Sequence, residues 1–321
     1  MQNYNYLQKI LHGLCLGNNL IKKSLFEVEK LIYYKKNDLI KHSNHVFISG
    51  LPRSGTTVLL NFIYESKQFS SFCYEDMPFI MAPNIYSKIS KKKEIKKTER
   101  YHNDGVLFDL KTPEAFDEVF FLTINKRDIE KEFERFVSLI LKKNDKIRYL
   151  SKNNFNYKRL DFLKRVFPKS ILLIPFRKPL EHANSLLNQH RNFLKIQKDN
   201  SFILKYMNYL GHFEFGINHK SWNNSENFNL DNINYWLEQW LLFYDNLYKK
   251  SKNIKNLFFI CYEKLDNQDY INKIKKRIEL NLANDFIFKK SHIEIDQDYE
   301  IKLLDKANVL YKKLDIESDK F

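Results

Sequence analysis

Two short stretches of this 321-residue chain carry residue types suited to gripping an oxyanion. The first is Gly50-Leu-Pro-Arg-Ser-Gly-Thr-Thr57. Its glycines, Gly50 and Gly55, allow a tight backbone path, so that successive N–H groups of Ser54, Gly55, Thr56 and Thr57 can wrap a phosphate-like group at a helix start. Thr56 and Thr57 add hydroxyl donors, and Arg53 sets a cation inside the turn. The ATP-binding form of such a loop has lysine directly after the second glycine, where this chain has Thr56. The second stretch is Arg177-Lys-Pro179, with Ser185 eight residues after the arginine. A Mg²⁺-dependent nucleotide enzyme would want an acid at the end of a buried strand. Arg177 in that place points to direct recognition of anionic oxygens without a metal. Glu75, with Asp76 beside it, Lys152 and Glu263 are the remaining candidates for proton transfer, charge stabilisation or structural pairing.

Strands that end just before these residues would bring them together. Apolar runs at 45–49 (HVFIS), 69–74, 147–151 (IRYLS), 171–176 (ILLIPF) and 257–262 (LFFICY) read as buried strands, each followed directly by one of the candidates. Residues 160–166 read as a helix between two of them, and a crossover of that length requires parallel strands. In an open parallel sheet, ligands sit beyond the carboxyl ends of the strands. The chain thus reads as one α/β domain over 1–321, with a helical extension at 1–44 and a nucleotide-binding core at 45–265. An acceptor-side insertion at about 76–146 and a lysine-rich helical tail at 266–321 complete it. Residues 4–40 read as helix, with Leu7, Ile10, Leu11 and Leu14 as a stripe packed on the core, preferred over membrane docking because the polar face is not strongly basic. Thr112-Pro113-Glu114 reads as a helix start, and 88–100 as a basic loop or solvated helix face.

Lys and Arg number 54 against 39 Asp and Glu, a surplus of 15 positive charges that calls for an anionic partner of some kind. Three scattered cysteines fit free thiols in a reducing compartment, and no apolar run approaches a membrane span, so the expectation is a cytoplasmic protein with at most peripheral membrane contact.

On these residues the chain resembles the sulfotransferases that use 3′-phosphoadenosine 5′-phosphosulfate (PAPS). The Gly50–Thr57 loop is similar to their 5′-phosphosulfate loop, in the arginine-bearing version of tyrosylprotein-like and related bacterial glycan-type members. Arg177 with Ser185 is similar to their 3′-phosphate site. Phe258–Leu265 (FFICYEKL) resembles their late Tyr-Glu-Asp-Leu strand end, with Lys264 in place of Asp, and the Trp236–Trp240 helix fits as well. Phe108–Phe121 resembles an acceptor-side segment of some bacterial members. The resemblance runs from about 45 to 265 and implies a P-loop NTPase-like three-layer fold, a central parallel sheet flanked by helices with helical insertions. It implies PAPS as co-substrate, PAP as product, no metal, and a hydroxyl or amine acceptor such as a carbohydrate or cell-envelope precursor.

In that frame Arg53, Ser54, Gly55, Thr56 and Thr57 hold the 5′ end of the donor, and Arg177 and Ser185 hold the 3′-phosphate. Arg53 and Lys152 stabilise developing charge, Lys152 resembling the lysine of a Lys-x-Pro motif whose proline is Asn154 here. Glu75 is the candidate base, with Asp76, His102 or His182 as alternatives. Two other functions compete: a nucleotide-dependent phosphotransferase, and a basic nucleic-acid-binding protein, which would account for the charge but not for the loop.

Overall fold

The run Ile171–Phe176 is apolar at every position, and such a run persists only where both faces of a strand are covered. The computed structural model describes residues 4–90, 98–99, 107–125, 128–223, 229–281, 288, 295 and 297–320, and puts this strand, buried throughout, inside a five-stranded sheet. Helices α1 (Tyr6–Gly17), α2 (Asn19–Tyr33) and α3 (Asp38–Lys41) lead into strand β1 (Val46–Ile48) and helix α4 (Thr56–Tyr64). Next come β2 (Phe69–Ser70), α5 (Pro83–Ile89), β3 (Thr98–Glu99), β4 (Leu107–Phe108), α6 (Glu118–Thr123) and α7 (Ile129–Asn144). The chain continues through β5 (Arg148–Lys152), α8 (Leu160–Val166), β6 (Ile171–Phe176), α9 (Pro179–Asp199), α10 (Ser201–Leu210) and α11 (Ile233–Ser251). It closes with β7 (Leu257–Cys261), α12 (Gln268–Arg277) and α13 (Ile301–Glu317).

The sheet order is β2-β5-β1-β6-β7, every pairing parallel, while β3 and β4 form a separate antiparallel pair. Register sets Ile48 of β1 level with Lys152 on one side and Leu173 on the other. The α/β expectation, a parallel sheet flanked by helices, therefore holds. Helix α4 packs on β1, β2 and β5, α7 on β2, β5 and α8, and α13 on β7, α9 and α11. Trp236 and Trp240 of α11 are wholly buried. Among the described residues, no helix is long and apolar enough to cross a membrane.

Several expectations are corrected. Residues 4–40 are three helices, because Asn18 and Asn37 accept backbone N–H groups and so cap new helix starts. The Leu7–Ile10–Leu11–Leu14 stripe does not pack on the core: all four are exposed, and α1 buries His12, Cys15 and Leu16 instead. Only Phe69–Ser70 of the 69–74 run pairs as strand, and Tyr74–Asp76 form a 3-10 turn. Thr112-Pro113-Glu114 starts no helix. Thr112 donates its hydroxyl to Asp109, Pro113 bridges to Cys73, and the Glu114 N–H goes to the Phe72 carbonyl at 3.0 Å, so helix begins only at Glu118. Most of the basic 88–100 stretch, and His102, lie outside the described residues.

Candidate functional site

The loop after β1 is shaped by what surrounds it. A Cβ at Gly50 would lie 2.9 Å from Ser54 Oγ and 3.1 Å from the Pro175 carbonyl, so the chain passes there only as glycine. Gly55 has φ 97°, and a Cβ on it would lie 2.7 Å from the Tyr262 ring. Gly55 is also the N-cap of α4 and, having no side chain, makes no side-chain cap to the first-turn N–H groups. Thr56 is buried at the helix start and Thr57 half-buried beside it. The Ser54 hydroxyl donates inward to the Leu51 carbonyl at 2.7 Å and braces the turn.

The Gly50–Thr57 loop and the Arg177–Ser185 stretch meet. Arg53 donates from Nε to Ser185 Oγ at 3.2 Å, across 132 residues of sequence. Arg177 donates from Nη1 to the Arg53 carbonyl at 3.3 Å and stacks on Tyr262, 4.6 Å from the ring centroid. Tyr262 follows β7, so β1, β6 and β7 all send residues to one cluster at their carboxyl ends. Glu263 accepts from the Lys178 N–H at 2.9 Å and from Tyr311 Oη at 3.1 Å, which ties the entry of α9 to α13 and agrees with a structural part for this acid.

His182 is a brace for the loop. It is fully buried on α9, with Nε2 2.7 Å from the Pro52 carbonyl, and burial, with Arg177 and Arg53 nearby, lowers its pKa to about 3. The ring is thereby fixed beneath the loop.

Lys152 is not a solvated lysine. It is buried at the end of β5, with Nζ 3.2 Å from Glu114 Oε1, while Tyr74 Oη donates to Glu114 Oε2 at 3.1 Å. Asn154, at the expected proline position, donates to Glu214 at 3.0 Å. Glu75 is brought to a different partner, Lys143 of α7, whose Nζ lies 2.9 Å from Glu75 Oε1 and also holds Asp76. Burial works against the charge on Lys143, but the Asp76 and Glu75 carboxylates outweigh it and raise its pKa. Sequence reading missed Lys143, Glu114 and Tyr262 as parts of the site. Tyr262 reads from sequence as the last residue of the 257–262 strand, whereas β7 ends at Cys261 and leaves it just beyond the strand. Among the described residues no group of three or more His, Cys, Asp or Glu is placed to hold a metal ion.

The model of a protein family described as the Sulfotransferase family matches residues 45–283. No curated protein matches the chain. Solved structures similar to it include sulfotransferase STF1 from Mycobacterium tuberculosis, at 12% identity over 84% of this chain and 76% of that one, with a TM-score of 0.48. STF9 from Mycobacterium avium is 11% identical over 93% and 75%, with a TM-score of 0.47. A sulfotransferase from Alicyclobacillus acidocaldarius is 11% identical over 87% and 95%, with a TM-score of 0.42. The family match opens at His45, directly before β1, and takes in all five strands of the parallel sheet and the loops that follow them: this chain belongs to the sulfotransferase family.

Proposed function

We propose that this sulfotransferase-family enzyme moves a sulfuryl group from PAPS to a hydroxyl or amine, on a carbohydrate or cell-envelope precursor, and that one α/β unit carries both sites. The observation behind this reading is the contiguous cluster of Arg53, Ser185 and Arg177 at the mouth of a glycine-framed loop. Those residues suit a ligand with two phosphate-like ends, and the uncapped start of α4 suits one of them. When bound, the donor supplies an activated sulfuryl group on a phosphate. Arg53 and the N–H groups of Gly55, Thr56 and Thr57 hold its 5′ end, with Ser54 bracing the turn; Arg177 and Ser185 hold the 3′-phosphate. Lys152 offers positive charge where negative charge gathers, and Glu114 holds that lysine in place. Glu75, which pairs with Lys143, accepts the acceptor's proton. One observation favours Glu114 for that last part instead, its contact with Lys152.

Calorimetric titration with 3′-phosphoadenosine 5′-phosphate, with and without EDTA, beside ATP–Mg²⁺ and a DNA duplex, tests the donor. The bisphosphate binds with or without EDTA, and Arg177→Ala or Arg53→Ala each weakens it by about tenfold to a hundredfold, as expected for a charge-assisted hydrogen bond. Binding of ATP–Mg²⁺ alone would make the enzyme a phosphotransferase, and steeply salt-dependent DNA binding alone a nucleic-acid binder. For the base, Glu75→Gln and Glu114→Gln are compared. The variant that keeps bisphosphate affinity while kcat falls by about 10²–10⁴ marks the proton acceptor. Wild-type turnover in Glu75→Gln removes Glu75 from that role.

A further inference from the structure

The outward face of α1 is apolar and its inward face is partly polar, the reverse of what burial on a soluble core produces. Leu7, Ile10, Leu11 and Leu14 lie within about one third of the helix circumference at 3.6 residues per turn, and all four are exposed, Leu7 to 73%. Tyr6 beside them and Leu20 at the start of α2 are 78% and 74% exposed. Of the exposed large hydrophobic side chains among the described residues, more than half belong to residues 6–39, so the concentration is local and not the scatter usual on a surface. These residues precede the 45–283 segment matched by the family, so they add to the catalytic core and do not belong to its donor cluster.

Charge decides what covers such a face. The twelve residues of α1 contain no acid, and exposed Lys23, Lys35, Lys36 and Lys41 follow on α2, the connection to α3 and α3, against exposed Glu27 and Asp38. The whole chain carries +15. A second copy of the chain would bring an equal positive charge against this one, whereas an anionic bilayer attracts it and accepts the leucines into its acyl boundary.

We infer that α1 and the start of α2 form a docking face for an anionic lipid surface, on which the enzyme rests without spanning it. The inference is independent of the donor and acceptor readings.

Flotation of the full chain with phosphatidylcholine vesicles, with and without phosphatidylglycerol, reads it directly. The chain floats with the phosphatidylglycerol vesicles, and rising salt weakens the binding. Leu7→Glu/Ile10→Glu/Leu14→Glu lowers partitioning by about a hundredfold, while circular dichroism and 3′-phosphoadenosine 5′-phosphate affinity stay as in the parent chain. Should the triple variant misfold, Leu7→Gln at its 73% exposed site keeps the test open and lowers partitioning by about threefold or more. Absence of binding to either vesicle overturns the inference. So does a dimer, seen by sedimentation velocity, that the same variants dissolve, because the face then belongs to a second copy.

Discussion

Arg53 holds its place in the loop with φ 69°, a left-handed backbone that costs a residue with a side chain about 1 kcal/mol relative to glycine. Its guanidinium meets Ser185 while its carbonyl accepts from Arg177, so backbone and side chain serve the same cluster. The two parts can be separated. Arg53→Gly and Arg53→Ala both remove the cation and weaken bisphosphate binding alike, but the glycine variant unfolds at the higher temperature, by an amount worth about 1 kcal/mol. Equal melting temperatures in differential scanning fluorimetry would show that the strain is relieved in solution. The positions of this residue and of Arg177 were legible in the sequence because each follows a strand by a few residues, a local pattern. What the sequence did not disclose is which carboxylate meets which lysine. Glu75 pairs with Lys143 across 68 residues and Glu114 with Lys152 across 38, and no spacing rule reaches that far.

At the scale of the element, β1 depends on a histidine beneath it. His45 lies against the Ile40 carbonyl through Nε2 at 2.7 Å and accepts the Tyr149 N–H on Nδ1 at 2.8 Å, so the neutral ring joins α3, β1 and β5. Burial lowers its pKa from 6.5 to about 4. A base whose folded pKa lies below its unfolded value contributes full stability above the unfolded value and loses it as pH falls toward the folded one. The shift of His45 is worth about 3 kcal/mol, all of it lost between pH 6.5 and about 4. His190 titrates across the same window, and His182 adds to it with a folded value of about 3. Asp117 opposes them: burial raises it to about 6, so protonation there favours the folded state on acidification. Burial raises Glu29 and Asp76 in the same direction, but His12 and His219 are lowered like the other three histidines and Glu214 is held at about 2, so the sign is not reversed. Urea unfolding from pH 7 to pH 4.5 therefore shows falling stability, and His45→Gln reduces the slope without abolishing it. A slope unchanged in that variant would mean the ring is already charged. Elements that bury a continuous apolar run, such as β6, were legible from composition alone. Amphipathic stripes gave only a spacing, and spacing does not say which side of α1 meets the protein.

For the molecule as a whole, the parallel sheet was legible and its strand order was not, because hydrophobic runs announce strands but not neighbours. Nor did the lysine-rich sequence after 266 announce a packed element. Ala307, Leu310 and Leu314 of α13 are nonetheless buried, and Tyr311 reaches Glu263 at the sheet edge. A chain ending at residue 297 loses this packing, at a cost of about 5 kcal/mol or more for two buried leucines and their neighbours. Thermal unfolding of that truncation gives a broad early transition or insoluble protein; a melting curve superimposable on the full chain would make α13 dispensable.

The sheet order has a consequence for biosynthesis. Strand β1 lies between β5 and β6, both of which follow it by about a hundred residues or more, a long-range pairing that cannot close early. While a ribosome extends the chain through α5, α6 and α7, Val46–Ile48 waits without either of its neighbours, together with the leucines of α1. That interval is when a nascent polypeptide of this design needs a holding chaperone most, and it ends only once the residues through Phe176 have cleared the exit tunnel.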